Sequence, residues 1–416
     1  MSVRSTLLAL AVVIVPVKCC DESIANLKSG DLCLVNCMLD EAGFIKSQHH
    51  FTEQLHRAAV TVKPMESFVY SPVSITMMLG LLAGGAKGKT RQEIKEKVFK
   101  YSKLKELPFL ASLLIQRFRL LNARTDSMHT SIAEGLFPDS QFTLRKSFKT
   151  QAQCFDSEVR LLSFANRSTV AWVNKWVQEK TEGKIKQLFK DFTPMTVLVL
   201  ANAVYFKALW KNPFTQSTSV EEGTFYNLNK AEIPVKFMRK RMRVPYMHVI
   251  TKHGESFQAI RLLYEGGVSM LVVLPQSRYG LLKLVEYNLH MVRGMKGQMS
   301  EKLVEVVMPK FEMDKQFQLK SALEKMGLTR MLTEGVAELG GLLQQNSKGL
   351  YLSQAVHKAY VKVNENGTEA AAATGGVVST LGVMPMFRVD HAFVFLISLD
   401  EKGYDPDLFI GRVTSL

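Results

Sequence analysis

The chain has 416 residues, a formal net charge of +15, 47% hydrophobic residues and 22% charged residues. This composition is typical of globular proteins and excludes a disordered chain. The length is greater than a single hydrophobic core usually serves, but it does not require two domains. Five cysteines are too few for a fold built on disulfides. The basic excess favours polyanionic partners such as glycosaminoglycans, anionic lipid or nucleic acid, and does not specify a fold.

The N-terminus predicts a secretory signal peptide over residues 1–20. Arg4 precedes an apolar run of 11 residues, 7–17, which is shorter than the roughly 20 residues that span a bilayer. The residues after this run are not the small ones that usually precede a cut, so we place the cleavage site near Cys19 or Cys20. We therefore expect a secreted, extracellular protein.

Motifs for catalysis or metal binding are missing from the sequence. It holds no Gly-x-Ser-x-Gly, His-Glu-x-x-His, Walker A or Gly-x-Gly-x-x-Gly pattern. His49, His50 and His56 look like a metal cluster, but solvated helix residues are the favoured interpretation. Cys33 and Cys37 would need further ligands nearby, and an N-terminal disulfide or free thiols are favoured instead. We therefore expect no enzymatic activity, no metal and no cofactor.

The order of the predicted elements points to an α+β fold. Helices are predicted over 71–82, 90–99, 109–123 and 169–179, and strands over 197–206, 269–274, 303–308, 359–363 and 393–398. Several of these strands are continuous apolar runs, as expected of strands covered on both faces. Since helices mostly precede strands, we predict a single α+β domain built around large mixed sheets.

The segment 365–385 is unusual because it joins two strands with small, almost uncharged residues. Composition alone favours a surface linker. In a strand, however, every second residue would share one face. The residues on that face, none of them charged or bulky, are Thr368, Ala370, Ala372, Thr374, Gly376 and Val378. Such a face could enter a packed sheet at little steric or desolvation cost, and the charged Glu369 falls on the opposite face.

Long stretches of the chain resemble the serpins, a family of serine-protease inhibitors. They are SPVSI (71–75), GAKGKT (85–90), NKWVQEKTEGKI (174–185), LANAVYFKALWKNPF (200–214), SMLVVLP (269–275), VMPKFEM (307–313), LSQAVHKAYVKVNENGTEAAAAT (352–374) and LFIGRV (408–413). The resemblance runs from about residue 45 to 416, which implies an N-terminal extension over 21–45 and a single serpin domain over 46–416. It implies a serpin fold with about nine helices, three β-sheets and an exposed reactive-centre loop at about 366–388.

The resemblance also implies a mechanism and a partner. A protease attacks the loop and forms an acyl-ester, and the cleaved loop then inserts into the main sheet and traps the enzyme. The implied partner is a target serine protease in a covalent complex with a monomer, with a heparin-like glycosaminoglycan as a further candidate and neither nucleic acid nor a membrane. The alternative is a non-inhibitory serpin that acts as a carrier, storage or chaperone-type binding protein.

The register of the family places the cleaved bond. This bond usually follows the sixteenth residue after the hinge glutamate, here Glu365, which gives Leu381–Gly382. A register one residue shorter would place it after Thr380. A leucine at this position implies a chymotrypsin- or elastase-like protease, and cysteine proteases stay open as targets.

The resemblance further assigns the hinge of the loop and two groups of supporting residues. The hinge comprises Glu365, Gly367, Thr368, Glu369, Ala370, Ala371, Ala372, Ala373 and Thr374. The cluster at which the main sheet opens comprises Ser71, Ser74, Asn202 and His357. Buried groups of these types can exchange hydrogen bonds as strands part, although a satisfied core histidine also accounts for His357. Trp210 and Lys310 match the point where the loop first enters, and a Lys310–Glu365 ion pair is expected there, with a modest surface salt bridge as the plainer interpretation.

Two sequons are candidates for N-glycosylation. They begin at Asn166 and at Asn366. Asn166 is the better candidate, because a glycan on Asn366 in the hinge should hinder insertion.

A basic region predicts a polyanion-binding site. Its residues are Lys87, Lys89, Arg91, Lys95, Arg117, Arg119 and Arg124. A solvated basic surface is an equally weighted interpretation, because glutamates dilute the patch.

Overall fold

A computed structural model describes residues 41–102, 127–214, 220–251, 254–284, 289–317, 319–344, 349–368, 384–400 and 406–416. Its helices are α1 (Glu41–Val62), α2 (Pro72–Gly85), α3 (Gly88–Val98), α4 (Lys146–Cys154), α5 (Ser168–Lys180), α6 (Leu281–Leu284), α7 (Leu289–Met295) and α8 (Leu319–Lys325), with a 3-10 helix at Arg330–Leu332. Its strands are β1 (Phe68–Tyr70), β2 (Met128–Pro138), β3 (Glu158–Val159), β4 (Leu198–Leu209), β5 (Val220–Tyr226), β6 (Glu232–Ile250), β7 (Ser256–Leu263), β8 (Val268–Pro275), β9 (Ser300–Pro309), β10 (Phe311–Phe317), β11 (Gln354–Val363), β12 (Gly367–Thr368), β13 (Met386–Arg388), β14 (Phe393–Leu399) and β15 (Asp407–Val413).

The predicted elements that fall within these ranges are present in the structure. The helices predicted over 71–82, 90–99 and 169–179 correspond to α2, α3 and α5, and each predicted strand lies within an observed one or overlaps it closely. The helix predicted over 109–123 lies outside the described residues.

Helix α2 is buried along almost its whole length, as its apolar sequence predicts. Ser71 caps its N-terminus, since its side-chain oxygen accepts a hydrogen bond from the backbone N–H of Ser74, and Pro72 occupies the first turn, where its missing N–H costs nothing. Gly84 is the one residue of α2 that is not fully buried. The helix lies behind β4 and places Ser71 and Ser74 against the sheet.

Strand β4 has a core on each of its faces. Leu200, Val204 and Phe206 belong to the main core together with α2. Ala201 and Ala203, on the other face, pack in a second core with residues of α5. This two-sided burial explains why β4 reads as a continuous apolar run instead of an alternating one.

Two sheets are formed by the described strands. The six-stranded sheet runs in the order β10-β11-β4-β2-β3, with β12 paired to one end of β4. In it β11 and β4 are parallel neighbours, whereas β4 is antiparallel to β2. The nine-stranded sheet runs in the order β1-β15-β14-β8-β7-β6-β9-β13, with β5 paired to β6.

The expectation of three sheets differs from this result. Strand β6 is 19 residues long, and it pairs with β5 and β9 along its first part and with β7 along its last part. The strands β5, β9 and β13 at one end of β6 and the strands from β7 onward at its other end therefore count as one sheet, because β6 is continuous between them.

The first described helix begins before residue 46, within the segment predicted as an N-terminal extension. Helix α1 begins at Glu41, and the ring of Phe44, which is 1% exposed, lies 6.3 Å from the ring of Phe99. The interpretation of the three histidines as solvated is wrong for His56, which is 1% exposed between Phe68 and Tyr70. His56 lies one helical turn from Thr52 and Ala59, which are also buried and share its face of α1.

None of the described helices is long and apolar enough to cross a membrane. Nor does the described part of the chain bring together three or more His, Cys, Asp or Glu residues in an arrangement that could hold a metal ion.

Candidate functional site

A row of polar side chains crosses the middle of the six-stranded sheet. In the strand register, Asn202 of β4 lies opposite Glu134 of β2 on one side and opposite His357 of β11 on the other. Paired residues of neighbouring strands point to the same face. That face carries the main core and α2, and each of the three residues is at most 3% exposed.

Hydrogen bonds tie this row to the first turn of α2. The backbone N–H of Ser71 donates to Nε2 of His357 over 3.0 Å, and Ser74 Oγ donates to Oδ1 of Asn202 over 2.8 Å. His357 Nδ1 also contacts Asn202 Oδ1. Because Nε2 is the acceptor for Ser71, the ring proton belongs on Nδ1, which donates to Asn202. The structure thus brings together all four residues assigned to the opening of the sheet.

Ser71 and His357 lie close together but do not form a catalytic pair. The contact uses the backbone N–H of Ser71, so the imidazole has no serine hydroxyl to deprotonate. Complete burial lowers the pKa of His357 to about 3, which keeps the ring neutral at physiological pH.

Glu134 completes the row, and sequence reasoning missed it. Asn202 Nδ2 donates to Oε1 of Glu134 over 3.4 Å, and Ser157 Oγ lies 3.1 Å from Oε2. Burial raises the pKa of Glu134 to about 8, and Asp156 acts in the same direction against the two hydrogen bonds. The acid is therefore neutral at pH 7. A signal was present, since Glu134 is the only Asp, Glu, Lys or Arg in β2.

Above this row, the seam between β4 and β11 changes its pairing. The two strands pair from Gln354–Val199 as far as Val361–Phe206. Beyond that point β4 pairs with β12 instead, with Thr368 opposite Ala208 and Gly367 opposite Leu209, in antiparallel orientation. Gly367 and Thr368, two of the residues predicted to form the hinge, therefore already occupy the edge of β4 that β11 leaves.

The turn that leads into β12 is held by three consecutive carbonyl groups. The carbonyl of Asn364 accepts from Trp210 Nε1 over 3.0 Å, that of Glu365 from the N–H of Phe214 over 2.7 Å, and that of Asn366 from the N–H of Trp210 over 2.9 Å. The Trp210 ring stacks on Tyr264 with centroids 4.1 Å apart. The side chain of Lys310 forms an ion pair with Glu365.

Gly367 allows the turn to pack this closely. Its φ is +136°, which side chains rarely tolerate, and a Cβ at this position would lie 2.2 Å from the carbonyl oxygen of Ala208. Asn364 and Gly367 also exchange backbone hydrogen bonds of 2.9 and 3.2 Å across the turn. The Asn-x-x-Gly spacing in the sequence is the local signal for this turn.

Several residues singled out from the sequence lie outside the described residues. They are Leu381 and Gly382 of the reactive bond, Glu369, Ala370, Ala371, Ala372, Ala373 and Thr374 of the hinge, and Arg117, Arg119 and Arg124 of the basic region. Cys33 and Cys37 lie outside them as well.

The described part of the basic region lies at and beyond the start of α3. Lys87 and Lys89 are exposed, whereas Arg91 and Lys95 are partly buried. Lys95 Nζ donates to the carbonyl of Lys100 over 3.3 Å. Of these four side chains, Lys87 and Lys89 are therefore the ones that are exposed to solvent and to a polyanion.

The two sequons differ in their surroundings. Asn166, Arg167 and Ser168 are all exposed, and Asn166 Oδ1 accepts hydrogen bonds of 2.9 Å from both the N–H and the hydroxyl of Ser168. Asn366 is partly buried within the turn at the top of the seam.

Comparison with known proteins links this geometry to a family. The family model described as serpin (serine protease inhibitor) matches residues 46–416. The chain is 31% identical over 388 residues to Iripin-2 of Ixodes ricinus, an alignment that covers 91% of this chain and 94% of that protein.

Solved structures show the same fold. The structure of native protease nexin-1 with heparin matches with a TM-score of 0.80 at 25% identity, covering 91% of this chain and 100% of the other. Human thyroxine-binding globulin matches with a TM-score of 0.78 at 26% identity, covering 90% and 99% of the two chains.

Proposed function

The chain belongs to the serpin family, and we propose that it is a secreted inhibitor that traps serine proteases as acyl-esters by insertion of its cleaved loop. Most of its relatives are inhibitors and not enzymes, although some structural neighbours, such as thyroxine-binding globulin, are not inhibitory. The proposed reactive bond is Leu381–Gly382, and the proposed target has chymotrypsin- or elastase-like specificity.

The observation that carries the proposal is the pairing of β12 with β4 above the end of β11. Because Gly367 and Thr368 are already antiparallel to β4, an extended continuation of the chain would run down β4 between it and β11. Insertion would then lengthen an existing strand and would not need to nucleate a new one.

Extending this register assigns a partner to each inserted residue. Glu369 would lie opposite Lys207, Thr374 opposite Asn202, and Val378 opposite Leu198 at the end of β4. Paired residues share a face. The small uncharged face would therefore join the main core. Glu369 would meet the partly exposed Lys207, whose charge is opposite.

The polar row offers the groups that sheet opening requires. Separating β11 from β4 breaks the contact between His357 and Asn202. The hydrogen bond from Ser74 of α2 to Asn202 of β4 does not involve β11 and can stay in place. On the extended register the hydroxyl of Thr374 arrives beside Asn202 and can donate to the Oδ1 that His357 has left. The same hydroxyl can accept from the Nδ1–H of His357, so that neither Asn202 nor His357 is left without a partner.

Backbone hydrogen bonding favours the inserted state. Insertion breaks a parallel ladder in which 354–361 face 199–206. It replaces that ladder with two antiparallel ones, and the new pairing can run along all 12 residues of β4. Antiparallel pairs are also slightly more stable per residue.

The test is incubation of the secreted protein with chymotrypsin, pancreatic elastase and trypsin, followed by a denaturing gel and mass spectrometry of the released peptide. We expect a complex that survives boiling with chymotrypsin or elastase, none with trypsin, and a released peptide that begins at Gly382. Cleavage without a complex across the panel would instead identify a substrate-type, non-inhibitory serpin.

We also propose that Lys87 and Lys89 contact heparin-like chains. Both are exposed at the start of α3. Replacing both by alanine is expected to lower the salt concentration at which the protein leaves a heparin column, because fewer counterions are released on binding. The matched control is the double alanine variant of Lys146 and Lys149, exposed lysines of α4. An equal shift in both variants would contradict a specific site.

Secretion and glycosylation are tested together. Expression in eukaryotic cells should place the protein in the medium with an N-terminus near Cys20, and removal of N-glycans should lower its mass. The Asn166→Gln variant should abolish that mass change. A change that persists in this variant and disappears in Asn366→Gln would show that the hinge carries the glycan.

A further inference from the structure

The outer face of the sheet beside β13 carries a row that connects this strand to β6. Strand β13 is parallel to β9, with Met386 opposite Glu305, and β9 is antiparallel to β6, with Glu305 opposite Arg241. The side chains of these three residues therefore share one face. It is the outer face, because the alternate residues Met242 and Val304 belong to the main core.

Arginines neutralise the acids nearest to this row. Arg239 Nη2 lies 2.9 Å and Arg241 Nε 3.1 Å from Oε1 of Glu305. Arg239 also lies 3.2 Å from Glu221, which Arg388 binds over 2.7 Å. Hydrogen bonds from arginines lower the pKa values of both glutamates, so that both are ionised. Arg388 also pairs with Asp390 over 3.5 Å, so that three arginines face three carboxylates.

The positive charges of this face are more exposed to solvent than the acids that pair with them. Arg241 is 64% exposed, whereas Glu305 is 9% exposed. Arg243, the next residue of β6 on this face, is exposed and lies opposite Leu303. The next acid on the face is Glu301, opposite Pro245 at the far end of the pairing.

This surface lies beside the chain that leads out of the reactive loop. Because β13 is parallel to β9, residues before Met386 run beside β9 residues before Glu305, and Glu305 N donates to the carbonyl of Pro385 over 3.0 Å. The Leu303–Arg243 row is therefore on the side of the loop. Two strand spacings separate β13 from β6, about 10 Å, which an arginine side chain largely spans.

The part of the loop around the reactive bond has no charge with which to attract a protease. Between Glu369 and Arg388 the sequence holds no Asp, Glu, Lys or Arg. Electrostatic attraction of a protease to the residues after the reactive bond must therefore come from the scaffold, and Arg241 and Arg243 are exposed scaffold charges beside that segment.

We propose that Arg241 and Arg243 form a docking surface for acidic residues of the target protease, next to the part of its cleft that receives the residues after the cleaved bond. The proposal rests on the proposed inhibitory function and adds a determinant of which protease is inhibited. Met386 is five residues beyond Leu381, so the two arginines lie at the rim of the contact. Rim charges chiefly change the association rate and its salt dependence.

The test compares an anionic with a cationic chymotrypsin, each made inactive by replacement of its active-site serine with alanine. Surface plasmon resonance measures their association rates with the full-length protein and with Arg243→Gln and Arg243→Glu. For the anionic enzyme we expect a rate about 3- to 10-fold lower in Arg243→Glu, a smaller loss in Arg243→Gln, and little difference in high salt. For the cationic enzyme the rate should rise.

The matched control is Lys149→Glu, which makes the same type of charge reversal at an exposed residue of α4. Equal effects of Lys149→Glu and Arg243→Glu, or changes in the same direction for both enzymes, would overturn the proposal. So would a failure of the wild-type protein to bind either enzyme. Because the inactive enzymes cannot be trapped, these results do not depend on whether active proteases form a covalent complex, which separately decides the inhibitory function.

Discussion

Three buried groups make the stability of this protein depend on pH in opposite directions. Burial lowers the pKa values of His56 and His357 to about 3, each from an ordinary value of 6.5. Burial raises the pKa of Glu134 to about 8 from an ordinary value of 4.5. The unfolded chain therefore binds two more protons than the native state at the histidines between about pH 3 and 6.5, and one fewer at Glu134 between pH 4.5 and 8.

For these groups the free energy of unfolding rises with pH up to about 6.5 and then falls towards pH 8. The fall comes from Glu134. Above pH 4.5 the unfolded chain loses this proton while the native state keeps it, so each further rise in pH favours the unfolded chain until the native group also ionises near pH 8. The fall amounts to about 2 kcal/mol between pH 6.5 and 8, or roughly 2 to 3 °C in melting temperature for a domain of this size. We expect Glu134→Gln to remove this fall, because a neutral amide can bond to Asn202 and Ser157 as the protonated acid does.

Melting curves of both proteins from pH 5 to 8 check this expectation. Glu158→Gln, at a partly exposed residue of β3, is the control and should keep the wild-type profile. A Glu134→Gln profile that still falls above pH 6.5 would show that the decline has another source.

At the scale of elements, the turn before β12 depends on close packing of Gly367 against β4, which a side chain at this position would prevent. Gly367 has φ +136° and lies against the carbonyl of Ala208. Trp210 binds two carbonyls of the turn, and Lys310 holds Glu365. These contacts keep Gly367 and Thr368 paired with β4 in the intact chain.

Gly367→Ala is expected to expel β12 from the edge of β4. The strain and clash should cost about 1–3 kcal/mol, which corresponds to a melting temperature roughly 1 to 4 °C lower, and should expose the bond after the buried Glu365 to a glutamate-specific protease. Gly335→Ala is the matched control, since Gly335 also has a positive φ, +73°, but open space around it. Equal proteolysis of the two variants would mean that close packing at Gly367 does not hold the turn.

At the scale of the whole molecule, the proposed insertion would add a strand between β4 and β11. Strands β4 and β11 both lie inside the sheet, so the added strand would gain neighbours on both sides. Each added backbone hydrogen bond contributes about 0.5–1 kcal/mol, and some 12 additional paired residues give roughly 6–12 kcal/mol.

Cleavage of the loop at Leu381–Gly382 is therefore expected to raise the melting temperature by about 10 °C. Thr374→Arg should abolish the rise, because its charge would enter the main core beside Asn202 without a partner. Val383→Arg adds the same charge beyond the cleaved bond and should leave the rise intact. Calorimetry of cleaved and uncleaved samples gives the comparison, and a cleaved wild-type protein that melts no higher than the intact one would contradict insertion.

Much of the fold follows from local patterns in the sequence. The apolar run of α2 after Ser71-Pro72 and the apolar run of β4 predicted a buried helix and a strand covered on both faces, and both are observed. The burial of His56 and the start of α1 at Glu41 were not predicted. Helical periodicity alone does not say which face will be covered when flanking residues are mixed.

The candidate site was predicted in part. Family resemblance assigned Ser71, Asn202 and His357, and the structure brings them into contact. It did not assign Glu134, because nothing in its neighbourhood along the chain shows that β2 will be paired with β4 at that register.

The sequence by itself determined the family, the positions of most elements, and the small uncharged face of the loop, because these depend on residue order and on periods of two or 3.6 residues. Only the tertiary structure decided that Glu134 joins Asn202 and His357, that β12 already pairs with β4, and that Arg241 and Arg243 lie beside the chain leaving the loop. Asn202 is 68 residues from Glu134 and 155 from His357. Contacts at such separations depend on the register of paired strands, which is chosen by the packing of the whole core and not by the residues on either side.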